Sequence, residues 1–127
     1  MSASNELIVL TGVTLVTAIV QRGTADLVVQ VAMEAGAQGA TVFHAHGSGM
    51  RQKHMGILGL TVDTEKEIIY IVVPDEQADH IFERVFVAAK METPGMGILW
   101  LTRLEKMATH IPHDIAARFG AHRERRG

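Results

Sequence analysis

Residues 66–73, "KEIIYIVV", run straight into "PDEQAD", and this junction constrains the fold more than any other stretch. The run is apolar without a break from Ile68 to Val73, and such continuity predicts a strand covered on both faces rather than one with a wet side. Pro74 ends the strand because it has no N–H to give the ladder. The same proline presets the φ of a first helical turn, where Asp75 and Glu76 complement the positive end of the helix dipole. The apolar positions Ala78, Ile81, Phe82, Val85 and Ala89 then recur at helical spacing. A buried strand feeding directly into an amphipathic helix requires layers, with helices packed on a sheet.

The rest of the chain supplies a second such unit. Residues 16–20 read as a core strand ending at "QRG". Thr24 is placed to cap a helix whose apolar side is Leu27, Val28, Val31 and Ala35, and Gly36 is placed to end it. Residues 39–46 alternate as a strand, "METPGMG" reads as a loop, and residues 98–104 form a further strand. The order is strand, helix, strand, strand, helix, strand. With right-handed crossovers this is an α+β fold, the ferredoxin-like split βαβ sandwich, in which two helices cover one face of an antiparallel four-stranded sheet. The other face is left bare, so the apolar continuity of 68–73 implies a cover for it, most simply further copies of the chain.

The apolar run 7–20, "LIVLTGVTLVTAIV", is fourteen residues long, short of the roughly twenty that span a bilayer. No lysine or arginine precedes it, and Gly12 breaks it in two. It is expected to be two strands, the first an extra N-terminal one, in a soluble cytoplasmic protein. The expected division is an extension at 1–13, a domain at 14–110, and a basic tail at 111–127 whose end, "RFGAHRERRG", would be solvated. At 127 residues with 47% hydrophobic and 5% aromatic composition, the core must be aliphatic. The absence of cysteine excludes disulfides, iron–sulfur clusters and thiolate zinc sites, and a net charge of −2 provides no overall field to attract nucleic acid. Met33, Met91, Met96 and Met107 are expected to fill core gaps.

Three of the seven histidines fall in "TVFHAHGSGMRQKHMG", residues 41–56. Glycines let backbone amides converge on an anion, with Arg51 and Lys53 adding charge; a plain strand-to-loop turn is the alternative. His44 and His46 alternate along a strand and share one side of it. With His54 they could hold a metal, or simply line a polar cleft. The apolar "MGILGL" that follows is either one arm of a hairpin or an exposed tip that docks on a hydrophobic partner. Catalysis finds no support: no nucleophile lies in a motif, and the carboxylates read as solvated or dipole-complementing residues. The chain is therefore expected not to be an enzyme.

"GAQGATV", the Gly-rich loop with "RQK", and "IVVPDEQADHIFERVFVAAKMETPGMG" together resemble the P-II signalling proteins, whose segments read GxxGxTV, GxGRQKG, IVVPDE and TGxxGxG. The resemblance runs in order over residues 14–104. It implies a homotrimer that binds ATP, ADP or AMP between subunits and grips a protein partner, such as a membrane transporter, with the loop 47–65. It places Gly39, Ala40, Thr41 and Val72 against the adenine. Gly49, Arg51 and Gln52 fall on the phosphate and effector side, with Met50 as a one-residue insertion, and Gly95 and Gly97 supply amides near the phosphates. It also exposes departures. Ile98 stands where the family has a phosphate-binding lysine, and the loop before it is two residues shorter. Thr109 and Ile111 stand where it has two arginines, unless Arg103, Lys106 or His110 substitutes. Three lost cations, at roughly 1.5–3 kcal/mol per charge-assisted contact, would weaken triphosphate binding. The tyrosine that the family modifies in its mobile loop is absent; Tyr70 lies in a strand.

Overall fold

Gly12 adopts φ +69°, a left-handed conformation open to glycine at no steric cost, and there the first apolar run divides into β1 (Glu6–Thr11) and β2 (Val13–Gln21). The structure, a computed structural model, describes residues 6–46, 65–109 and 120–125. After β2 come α1 (Ala25–Glu34), β3 (Thr41–His46), β4 (Glu65–Pro74), α2 (Asp75–Ala88), β5 (Gly97–Leu104), β6 (Met107–Ala108) and β7 (Gly120–Arg125). The main sheet has the order β3-β4-β2-β5 with every pairing antiparallel. This is the ferredoxin-like arrangement that the element order implies.

Alternation decides which side chains face the helices. Val16, Ala18 and Val20 of β2 and Ile69, Ile71 and Val73 of β4 are fully buried, packed with Val28 and Val31 of α1 and Ile81 and Val85 of α2. Burying each of these Val and Ile side chains contributes about 1.5–3 kcal/mol. The opposite face is left bare by the helices, as the element order implies. Ile68 and Val72 are only half-buried, and Tyr70 is 41% exposed. The helices lie on one side of the sheet, and among the described residues no helix covers the other.

The C-terminal basic segment carries an element that the sequence pattern did not suggest. Its residues 120–125 are a strand, β7, paired antiparallel with β1 from Glu6↔Arg125 to Thr11↔Gly120, while β6 pairs on the other edge of β1. Backbone hydrogen bonding, which is indifferent to side-chain charge, holds the segment in the ladder. Of the four methionines expected in the core, Met91 is buried, Met96 and Met107 are half-buried, and Met33 is 45% exposed on α1.

Both helices end in the same way. At α1, Gly36 N–H donates to Met33 O and Ala37 N–H to Ala32 O, the paired bonds of a Schellman cap, with Gly36 at φ +113°. At α2 the same two bonds run from Lys90 to Val87 O and from Met91 to Phe86 O, but the left-handed residue is Lys90, at φ 55°. A side chain there carries a steric cost that glycine escapes. Lys90→Gly is expected to raise unfolding free energy by about 0.5–1 kcal/mol, measured by urea denaturation with an unchanged slope.

Candidate functional site

The residues singled out by sequence fall into two groups on the sheet. Thr41 pairs with Tyr70, and Val72 lies two residues further along β4 on the same open face. Gly39 and Ala40 immediately precede β3. A Cβ built on Gly39 would meet nothing within 4 Å, so the surface above it is open. Gly39, Ala40 and Thr41 thus lie at the start of β3, and Val72 on the β4 strand that pairs with it.

Gly95 and Gly97 lie at the other edge. Gly97 pairs with Val20, five ladder steps from the Val72 level and two strands across, which strand geometry converts to about 20 Å. A Cβ at Gly97 would stand 2.8 Å from the Ile19 carbonyl oxygen, so this glycine is required by the close approach of the β2 backbone. Gly95, at φ +85°, accepts a 2.6 Å hydrogen bond at its carbonyl from Gln21 Nε2, which ties the loop to the end of β2. Beside it, Phe82, Phe86, Val87, Met91, Ile98 and Leu99 line an apolar groove of about 500 Å³ whose one charged lining residue is Glu83. Nothing in the pattern of α2 announced this groove; the exposed Phe86 and Val87 on the helix's outer side are its only sequence trace.

Residue 46, the last described before the Gly-rich loop, pairs with Glu65 at the same end of the sheet as Gly97. Gly49, Arg51, Gln52 and His54 lie outside the described residues. Arg22 Nη1 and Glu65 Oε2 are 2.9 Å apart at this end.

Glu67 does what Thr24 was expected to do. Thr24 precedes α1 with helical backbone angles and makes no side-chain cap, because a capping hydroxyl needs an extended backbone to reach the first turn. Glu67 Oε1 instead accepts from Gly23 N–H at 2.8 Å and Ala25 N–H at 2.9 Å, while Oε2 stands 3.7 Å from His44 Nδ1. One β4 carboxylate thus joins the α1 N-terminus to β3. Among the described residues no group of three His, Cys, Asp or Glu side chains could hold a metal. His44 has Glu67 as its neighbour, and half of that carboxylate is committed to α1.

At the far end, Asp75 N–H donates to Gly12 O at 2.9 Å, Thr14 Oγ1 donates to Asp75 Oδ1, and Arg103 Nε lies 3.6 Å from Asp75 Oδ2. Arg103 pairs with Thr14, so it stands on the helix side of the sheet, away from Val72. Ile98, opposite Ile19, lies on the open face and brings no charge.

Removing the Glu67 carboxylate strands two N–H groups at the start of α1. Glu67→Ala is expected to cost roughly 2 kcal/mol or more and Glu67→Gln, which keeps one acceptor, clearly less; guanidinium unfolding of both variants checks the ranking.

A family model described as "Nitrogen regulatory protein P-II" matches residues 13–111. No curated protein sequence matches the chain. Among solved structures, PII of Arabidopsis thaliana bound to citrate superposes with a TM-score of 0.57 at 20% identity, over 75% of this chain and 79% of that one. At that identity the likeness establishes the fold.

Proposed function

The chain belongs to the P-II nitrogen regulatory protein family of signalling proteins, and on that basis we propose that it is a regulator which binds an adenine nucleotide between subunits of a homotrimer. In this reading the loop 47–65 controls a partner protein in the cytoplasm, and the chain regulates rather than catalyses. The observation that carries the proposal is the split of the candidate site: Gly39, Ala40, Thr41 and Val72 on one edge of the sheet, Gly95 and Gly97 about 20 Å away on the other. A single copy holds two half-sites. An arrangement in which the β3 edge of one copy meets the β5 edge of the next is head-to-tail, and such a contact closes when the copies form a ring. The same ring would cover the half-buried Leu15, Ile19, Ile68 and Val72 of the open face.

Gly49, Arg51 and Gln52 would then approach the phosphates from the loop that leaves the sheet at the Gly97 end. Ligand occupancy changes partner affinity only to the extent that the ligand binds the two loop arrangements unequally. With Ile98 and Thr109 in place of cations, and Arg103 turned towards Asp75, the phosphate side is poorer in charge than the family pattern. Nucleotides with fewer phosphates should lose least by this. The apolar "MGILGL" in the loop suits a hydrophobic partner surface, such as that of a membrane transporter. Among the described residues no helix is long and apolar enough to cross a membrane.

Calorimetric titration with ATP, ADP and AMP is expected to show one ligand per chain, with ATP gaining little over ADP, and native mass measurement is expected to give three chains. Thr41→Trp should abolish binding by filling the open surface, and Gln52→Ala should weaken it, while His44→Ala leaves it intact. A monomer that binds no nucleotide, or zinc binding that disappears with His44→Ala, would favour the histidine alternative.

A further inference from the structure

Phe82 and Phe86 stand one turn apart on α2, so their side chains are neighbours on one side of the helix. With Met91 and Leu99 they wall the apolar groove of about 500 Å³ beside β5. Leu99 pairs with Ala18, a member of the buried row under the helices, so this wall belongs to the helix layer and not to the open face of the sheet. Phe86 is 37% and Val87 70% exposed, apolar surface that the described residues leave in water.

One group breaks the apolar lining. Glu83 is exposed, and among the described residues no cation pairs with it. Asp79, one turn earlier on the same side of α2, adds to its negative field. Arg84, the next residue, is turned about 100° away around the helix.

Size decides what kind of molecule fits. The walls from Phe82 to Val87 and from Gly97 to Leu99 each run about 7 Å. A docked helix needs anchors from i to i+7, about 10 Å apart, so the groove is too short for one. Its volume instead falls among small-molecule sites, which hold roughly 300–1,000 Å³. Aromatic faces and a carboxylate without a cation both favour positive charge, and neither offers anything to an anion. Met91 also joins the groove to the β5-edge half of the candidate site: its Cε would lie 3.3 Å from a Cβ built on Gly97.

We propose that this groove is a binding site for a small amphiphilic cation, a molecule with a compact apolar or aromatic body and one ammonium. The body rests on Phe82, Phe86 and Leu99, and the ammonium meets Glu83. The assignment stands or falls independently of the nucleotide reading.

Two fluorescent probes of opposite charge test it. Dansylcadaverine carries an aromatic ring system and a terminal ammonium; dansyl-aminocaproate carries the same ring system and a terminal carboxylate. Titrated into the full-length chain, the first is expected to brighten and shift to the blue, saturating at one per chain, with affinity about tenfold above the second. Glu83→Gln should bind it about fivefold more weakly, Glu83→Lys should prefer the carboxylate probe, and Phe86→Ala should weaken both probes about tenfold. Glu83 is exposed, so its variants keep the fold even where Phe86→Ala loses it, and the charge reversal then decides. Equal affinity for the two probes, or a preference that Glu83→Lys leaves in place, overturns the proposal. Binding of neither probe also overturns it; a lowered assembly mass in Phe86→Asp would then identify a neighbouring copy as the occupant.

Discussion

The ladder between β2 and β4, nine residue pairs from Val13↔Pro74 to Gln21↔Lys66, fixes the position of everything else. Its register puts Val16, Ala18, Val20, Ile69, Ile71 and Val73 under the helices. A slip by one residue would turn all six outward and bring Leu15, Ile19, Tyr70 and Val72 in. It also delivers Glu67 to the α1 N-terminus and Asp75 to the Gly12 carbonyl, one at each end of the sheet. Both attachments fall directly from the pairing: the Glu67 carboxylate holds the start of α1, and the Asp75 backbone N–H, with its carboxylate on Thr14, holds the start of α2. The helices are therefore positioned by the two central strands as much as by their own apolar faces.

The same ladder separates the two halves of the candidate site. With β2 and β4 in the centre, β3 and β5 must be the edges, and residues carried by one cannot meet residues carried by the other. An edge strand offers unpaired backbone and an open face, which proteins cover or protect. Here the β3 edge carries the open Gly39–Thr41 segment and the β5 edge begins at the crowded Gly97. These are different surfaces, so the contact that would join them is head-to-tail, and such a contact gives a ring when its rotation closes and an open filament when it does not.

Much of this was legible from residue order. The break at Gly12, the strand–proline–helix junction at Pro74, and the buried positions Ala78, Ile81 and Val85 all follow from backbone chemistry or period. The resemblance to P-II was carried by the same phrases. What was not legible depends on partners distant in sequence. Thr24 looked like the cap of α1, but the cap is Glu67, forty-two residues on from Ala25, and no local pattern announces a carboxylate arriving from another strand. The strand at 120–125 is hidden because "GAHRER" lacks alternation and is held by main-chain bonds. Lys90 was unremarkable in sequence, since nothing marks a lysine that must adopt φ 55°. Of the site, Gly39, Ala40, Thr41 and Val72 were readable as motif residues.

The central claim is that each binding site takes one half from each of two chains. Subunit mixing tests it directly. Thr41→Trp spoils the β3-edge half, and Gly95→Asp places a carboxylate in the β5-edge half at a left-handed position that aspartate tolerates better than most residues. Each variant alone should fail to bind ADP. Unfolded together in equal amounts and refolded, they should recover binding at roughly a quarter of the sites, the fraction of interfaces that draw an intact half from each neighbour in a randomly assembled ring. Full loss in the mixture, with assembly mass intact, would show that each site lies within one chain and would contradict the account.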